Sequence, residues 1–335
     1  METIYHFFSH SKKDVLSHLG KEKLIKCLKN MLLIRHFETR AEAAYLQGKI
    51  GGFFHSYIGQ EAIQTAAVAA IGEDNWWSTS YRCHALALLL GATPSELMAE
   101  LFGKANGNAK GRGGSMHMYT SRLLGGSGIV GGQLPLGTGA AFSIKYMDKK
   151  EVSVCFMGDG AVAQGAFHES LNLASLWDLP CIYVIENNQW SMGTPLNRSV
   201  CVTPIAESKG ASYGMKSYTI DGMDLLNCYA AFKQIYEETL ATSRPVLVEA
   251  ITERFRGHSV SDPGLYRSKE DVQTCMQKDP IKLLYKTLIE EGFITEGIYE
   301  EYDKEMKKLV MESLDFADAS PWPDPITLGD DVFAP

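Results

Sequence analysis

No apolar run in this 335-residue chain comes near the ~20 residues that cross a bilayer; the longest, such as 85 to 90, stops far short, so a soluble protein is expected. Cationic excess is missing too. With 32 Lys plus Arg against 40 Asp plus Glu, the formal charge is −8, which argues against a surface that coats phosphate backbones or anionic membranes and leaves nucleic acid an unexpected partner. Seven cysteines, an odd set with no CxxC pair, speak against a disulfide framework and a zinc knuckle, and fit a reducing compartment. The opening METIYHFFSHSKKDVLSHLG has neither the uninterrupted apolar stretch of a signal peptide nor the Arg/Ser-rich, acid-poor character of a transit peptide, so a cytoplasmic, bacterial protein is expected. Hydrophobic residues at 45% and charged residues at 21% exclude general disorder and suffice for one large core or two modest ones.

Leu24, Cys27, Leu28, Met31, Leu32, Phe37 and Tyr45 recur at helical spacing, which predicts an amphipathic helix over 21 to 47 that stops at Gly48. Helices are expected at 60 to 71, 82 to 90 and 94 to 102. A glycine-studded stretch from 103 to 133 follows, too long for an ordinary connection; composition leaves a functional loop and a mobile surface loop equally open. From 150 onward short apolar runs alternate with helical segments: Val152 to Met157, a helix over 162 to 177, Cys181 to Ile185, a helix over 224 to 242, and Val246 to Ile251. That alternation predicts an α/β fold with a largely parallel sheet and helices on both faces, its ligands at the carboxyl ends of strands. Charged amphipathic helices over 280 to 315 and a Pro-rich extended tail over 319 to 335 complete a chain read as one domain, 1 to 335, with its core at about 22 to 318.

Gly158-Asp159-Gly160-Ala161 follows the run VSVCFM and opens a helix, placing a carboxylate and free backbone N–H groups at one strand end. Alone it reads equally as a plain turn. The next run, CIYVI, ends in Glu186-Asn187-Asn188, with Asn188 29 residues beyond Asp159. A carboxylate and an amide carbonyl at neighbouring strand ends are oxygen ligands suited to Mg²⁺, which completes its octahedron with phosphate oxygens and water. Two rival phosphate motifs fail. Gly126 to Gly131 satisfies GxGxxG, but no clean strand precedes it, Pro135 interrupts the helix after it, and no acidic residue stands about 20 positions on. GKANGNAKGRGG, 103 to 114, has the composition of a phosphate loop without GxxxxGK[ST]. His55, His117 and His258 lie in polar or Gly-rich contexts, where a histidine is more often a structural hydrogen bonder. Tyr81-Arg82 stands before an apolar helix, as an anion clamp or a surface ion pair.

Together GDGA, the spaced ENN and the blocks HSYIGQEA, YRCH, GRGGSMHMY, GIVGGQLPLGTG, DLPCIYVIENN and RGHSVSDPG resemble the α subunits of the pyruvate dehydrogenase E1 component, over roughly residues 22 to 330. Acetoin dehydrogenase α subunits are a closer competitor than branched-chain 2-oxo acid dehydrogenase α subunits, and a non-catalytic assembly subunit of the same fold is a third reading. The resemblance implies a thiamine diphosphate-binding fold and a soluble enzyme that decarboxylates pyruvate oxidatively and passes the acetyl unit to the lipoyl arm of an E2 acetyltransferase. It implies thiamine diphosphate and Mg²⁺ as cofactors and an α2β2 heterotetramer with an E1 β subunit. Asp159, Asn188 and the carbonyl of Trp190 would hold the metal. Gly160 and Ala161 would present N–H groups to the diphosphate, with Tyr81, Arg82 and His258 also contacting it. Gly128 and Val130 would meet the aminopyrimidine through their backbones, and His55 would stand by the thiazolium and substrate. Trp190 replaces a common Tyr. The chain is one residue shorter than the animal pattern between Pro263 and Tyr266 and lacks the second regulatory serine there, while Ser259 occupies the first. The glutamate that activates N1′ of the cofactor would come from the β subunit, and Glu61 would keep a structural role at a helix start.

Overall fold

A computed structural model describes residues 3 to 330 and 332. The helices are α1 (Lys12–Leu46), α2 (Glu61–Ile71), α3 (His84–Leu89), α4 (Pro94–Leu101), α5 (Gln133–Tyr146), α6 (Gly165–Leu176), α7 (Leu196–Ser199), α8 (Ile205–Ser212), α9 (Leu225–Thr242), α10 (Lys269–Gln277), α11 (Pro280–Glu290) and α12 (Glu296–Ala319). The strands are β1 (Trp76–Ser80), β2 (Leu123–Ser127), β3 (Ser153–Gly158), β4 (Cys181–Asn187), a short ribbon β5 (Trp190–Ser191) and β6 (Thr194–Pro195), then β7 (Lys216–Asp221) and β8 (Val246–Ile251). Six strands form one parallel sheet in the order β2-β1-β3-β4-β8-β7.

The central strands read as continuous apolar runs because both faces are buried. Side chains alternate across the sheet, and each face has its own core. Val154, Phe156, Ile182, Val184, Val246 and Val248 join the core built with α1, α2 and α9. Their neighbours Cys155, Met157, Cys181, Tyr183, Ile185 and Leu247 join the core under α5, α6 and α8. The approach of α5 to the sheet depends on Gly137, where a Cβ would lie 2.9 Å from Ser78 Oγ and 3.0 Å from Cys155 Cβ.

Several expectations are corrected. The helix expected over 21 to 47 follows a kink at Gly20 (φ 68, ψ 166) and ends at Leu46, and a further helical segment from Lys12 precedes it. The 103 to 133 stretch is no single loop: it contains β2, so a strand does precede the GxGxxG look-alike, and α5 follows it. Two adjacent glycines hide that strand in the sequence. Pro135 does not interrupt α5, since it lies in the first turn, where a missing N–H costs no helical bond. The phosphate-loop look-alike wraps around a carboxylate of its own chain: fully buried Glu100 accepts the N–H groups of Ala109, Gly111, Gly113 and Gly114 at 2.7 to 3.2 Å. The extended tail is partly helical, with α12 running to Ala319 and a 3₁₀ turn at Pro325–Gly329. It returns to the Gly-rich stretch, where Pro321 O accepts the Ala105 N–H at 2.9 Å and Lys104 Nζ sits 3.9 Å from the Trp322 ring centre. The rest of the expected tail, 331 and 333 to 335, lies outside the described residues.

Candidate functional site

The connection from β1 runs to β2 on one side of it, while that from β3 runs to β4 on the other, so the gap between the ends of β1 and β3 is a topological switch point. Open parallel sheets bind ligands in such crevices. A cavity of about 240 Å³ lies there. Ser80, Tyr81 and Arg82 enter it after β1, Gly158 to Ala161 after β3, Glu186, Asn188 and Trp190 around the end of β4, and Arg254 and His258 after β8. Val130 and Gln133 close it from the start of α5, and Gln60 from the start of α2.

Gly158 is still extended when Asp159 begins a 3₁₀ turn, and a Cβ on Gly160 would stand 2.8 Å from Ser191 Oγ, so the turn can pass beneath the β5–β6 ribbon only with glycine there. Asp159 is 1% exposed, and its Oδ2 has no hydrogen-bond partner among the described residues. Burial pushes its pKa up to about 6. An isolated carboxylate in such a place costs free energy unless a cation or donor reaches it. The neighbouring oxygens suit a cation. Asn188 donates its Nδ2 to Gln60 Oε1 at 3.0 Å, which fixes the amide, and its Oδ1 accepts the Trp190 N–H at 3.3 Å. Between them Gln189 adopts φ 68, a left-handed turn that swings Trp190 back toward Asp159's side of the cavity. No trio of His, Cys, Asp or Glu among the described residues could hold a metal unaided, so the donor set is one carboxylate plus neutral oxygens: it fits a hard divalent ion that brings anionic oxygens and water with it.

The opposite wall is cationic. Arg82, 5% exposed, donates through Nη1 to Ser56 O at 2.6 Å and through Nη2 to His258 O at 2.8 Å. Arg254, 1% exposed, donates through Nη2 to Met192 O at 3.1 Å and Tyr266 Oη at 2.7 Å. Burial, then the charge of Arg82, draws the Arg254 pKa down to about 10. Among the described residues neither guanidinium has a carboxylate partner, which leaves two buried positive charges around one cavity, a setting suited to an anion. Beside them His55 packs 4.4 Å from the Tyr81 ring and 5.0 Å from the His258 ring. Burial and Arg82 lower the pKa of His55 to about 3 and of His258 to about 4, so both are neutral near pH 7, and each leaves Nδ1 without a partner among the described residues. At the floor Glu186 is raised to about 7 by burial; the Tyr57 hydroxyl and Gln64 Nε2 donate to its Oε1.

The structure therefore gathers Tyr81, Arg82, Val130, Asp159, Gly160, Ala161, Asn188, Trp190 and His258 around one cavity. His55 stands behind Tyr81 and His258, and Gly128 lies outside the lining, where a Cβ would be 3.4 Å from His117 Nε2. Sequence reasoning missed Gln60, Glu186 and Arg254 as parts of this wall. Only the place of Glu186 at a strand end signalled it; Gln60 and Arg254 reach the cavity through the packing of α2 and of the segment after β8.

Residues 29 to 326 match the family described as "Dehydrogenase E1 component", and the chain belongs to that family, which is thiamine diphosphate-dependent in general. Within it the similarity runs to proteins named pyruvate dehydrogenase E1 component subunit alpha. The one from Rickettsia conorii is 44% identical over 91% of this chain and 94% of its own length, and the one from Rhizobium meliloti is 42% identical over 96% and 94%. A mitochondrial one from Kluyveromyces lactis is 40% identical over 94% of this chain and 77% of its own.

Proposed function

We propose that the chain acts as the α subunit of a pyruvate dehydrogenase E1 component, in the thiamine diphosphate-dependent oxidative decarboxylation of pyruvate and reductive acetylation of a lipoyl group on an E2 acetyltransferase. The observation that carries the site assignment is that the buried Oδ2 of Asp159, without a partner among the described residues, shares one cavity with Arg82 and Arg254. A Mg²⁺ ion bridged to a diphosphate would satisfy both walls at once.

Asp159, Asn188 Oδ1 and the Trp190 carbonyl would hold the ion. The N–H groups of Gly160 and Ala161, with Tyr81, Arg82 and His258, would hold the diphosphate, and Gly128 and Val130 would meet the aminopyrimidine. When bound, thiamine diphosphate supplies the electron sink that decarboxylation of a 2-oxo acid requires. This chain's residues bind, orient and exclude water: His55 and His258, kept neutral near pH 7 by burial, offer uncharged imidazoles for hydrogen bonding beside the cavity. A carboxylate to activate N1′ is not among the groups assigned here: of those lining the cavity, Asp159 is given to the metal and Glu186 accepts from Tyr57 and Gln64 at Oε1. Glu61 is occupied, with Arg35 Nε at 2.5 Å and the Gly59 N–H at 3.0 Å, so that group is assigned to an E1 β subunit in an α2β2 assembly. A bacterial cytoplasm, with acetyl-CoA formed downstream of glycolysis, completes the reading.

The test is pyruvate-dependent dye reduction by the chain co-expressed with a β subunit, with acetoin and branched 2-oxo acids measured alongside. Preferred turnover of pyruvate supports the assignment; preference for acetoin or a branched acid, or no turnover with any of them, overturns it.

A further inference from the structure

The run Tyr81-Arg82-Cys83-His84 sends two side chains to the cavity and turns its last one into the core. His84 has no exposed surface, nor has Glu38 of α1 beside it. Both ring nitrogens of His84 face acceptors: Nδ1 lies 3.1 and 3.2 Å from the two Glu38 carboxylate oxygens, and Nε2 lies 2.8 Å from the Ser115 carbonyl. A neutral imidazole has a single N–H, so the geometry calls for an imidazolium with Glu38 as its counter-charge. Burial opposes that charge and Glu38 outweighs it, holding the His84 pKa above its ordinary value even with Arg82 nearby. Phe54 stacks on the ring at 5.0 Å and 18°, and Phe37 flanks it at 6.2 Å.

A buried ion pair adds little net stability by itself, so what this one holds matters more. Ser115 Oγ donates to Phe53 O at 2.6 Å, Phe54 O accepts the Val260 N–H at 3.0 Å, and Ser56 O accepts Arg82 Nη1 at 2.6 Å. The segment 53 to 56 carries His55, and Val260 belongs to the loop that carries His258. One imidazolium thus joins α1, the start of α3, the Gly-rich stretch and the segment on which the 254 to 268 loop rests.

We propose that Glu38 and His84 are a buried positioning dyad: by seating residues 53 to 56 they set the place of His55 and of the 254 to 268 loop over the cavity, while touching neither substrate nor cofactor. The proposal rests on the pyruvate dehydrogenase reading for its kinetic arm only.

The experiment uses the co-expressed α2β2 assembly with Glu38→Gln and, separately, Ser115→Ala, which keeps the dyad and removes only the bond to Phe53. Glu38→Gln should lower kcat for pyruvate on the order of 10- to 100-fold, with thiamine diphosphate Kd from calorimetry changed far less than kcat, because Asp159, Gly160, Ala161, Asn188 and Trp190 lie on other strand ends and only Arg82 and His258 of the groups placed on the diphosphate touch the seated segment. In both variants the Val260 amide should exchange with solvent faster than in the unaltered protein, and the double change Glu38→Gln/His84→Gln, which leaves no buried charge, should recover part of the kcat lost in Glu38→Gln. Cofactor affinity lost in proportion to turnover, or Val260 exchange unchanged in Ser115→Ala, overturns the proposal. If Glu38→Gln fails to assemble, Ser115→Ala decides through the same Val260 exchange. An unaltered assembly inactive on pyruvate would overturn the functional reading instead and leave the exchange measurement as the test of the dyad.

Discussion

Asp159 is the residue at which stability and function pull apart. Its folded pKa of about 6, against 3.8 unfolded, means that the folded state holds a proton more tightly than the unfolded chain. Stability therefore falls as pH rises from about 4 to about 6, and the ionised group costs roughly 3 kcal/mol above that window. In metal- and cofactor-free protein, Asp159→Asn should raise the melting temperature near pH 7.5 and make little difference near pH 4; equal melting at both pH values would refute this. The same change should abolish the Mg²⁺-dependent part of thiamine diphosphate binding, and near-normal affinity in calorimetry would count against the metal assignment. Asn188→Ala should be milder, since water can replace a neutral carbonyl ligand, and the lost bond to Gln60 is about 1 kcal/mol.

At the scale of elements, the segment after β8 is irregular but tied. Asp262 accepts the His258 N–H and the Tyr266 hydroxyl at 2.6 Å and the Gly264 N–H at 2.9 Å, while Tyr266 also receives Arg254. Tyr266→Phe removes two of these bonds at once, worth about 1–3 kcal/mol. Faster proteolysis within 254 to 268 and weaker thiamine diphosphate binding are expected; a digestion pattern like that of the unaltered protein would argue otherwise. Ser259 is half-buried, with its Oγ 3.0 Å from Ser261 Oγ, and Ser259→Glu should inhibit by repulsion from a bound diphosphate, read as a raised Kd that high salt partly relieves. The elements hardest to read from sequence were those whose pattern is set by neighbours. β1, WWSTS, is aromatic and hydroxylic, and all but its first residue are buried because it pairs on both sides. β7 lies at a sheet edge with three exposed or half-buried residues first, so no apolar run marks it. β3, β4 and β8 are covered on both faces, and their Val- and Ile-rich runs were legible for that reason.

At the scale of the molecule, the proposed reading gives the cavity a metal and diphosphate half-site and assigns the carboxylate that meets N1′ of a thiamine ring to a β subunit. The isolated chain should therefore bind thiamine diphosphate with Mg²⁺ weakly and turn over pyruvate negligibly, since a reacting atom misplaced by ~1 Å can cost on the order of 10²-fold. Co-purification with a β subunit and recovered decarboxylation are the expected result, and full turnover by the purified chain alone would refute it.

Local order alone encodes part of the chemistry: the GDG turn after an apolar strand, the ENN at the next strand end, and the alternation that demands a parallel sheet. These are legible because backbone sterics, strand period and helix-start N–H groups act within a few residues. Long-range packing is what brings Arg254 and Gln60 to one cavity with Asp159 and Asn188, seats Glu100 inside the Gly-rich stretch, and buries His84 against Glu38 while His55 lies against Tyr81 and His258. Each of those contacts joins residues whose sequence separation carries no periodic signal, and each is settled by where the sheet brings its strand ends and by the cost of leaving a buried charge or N–H unpaired.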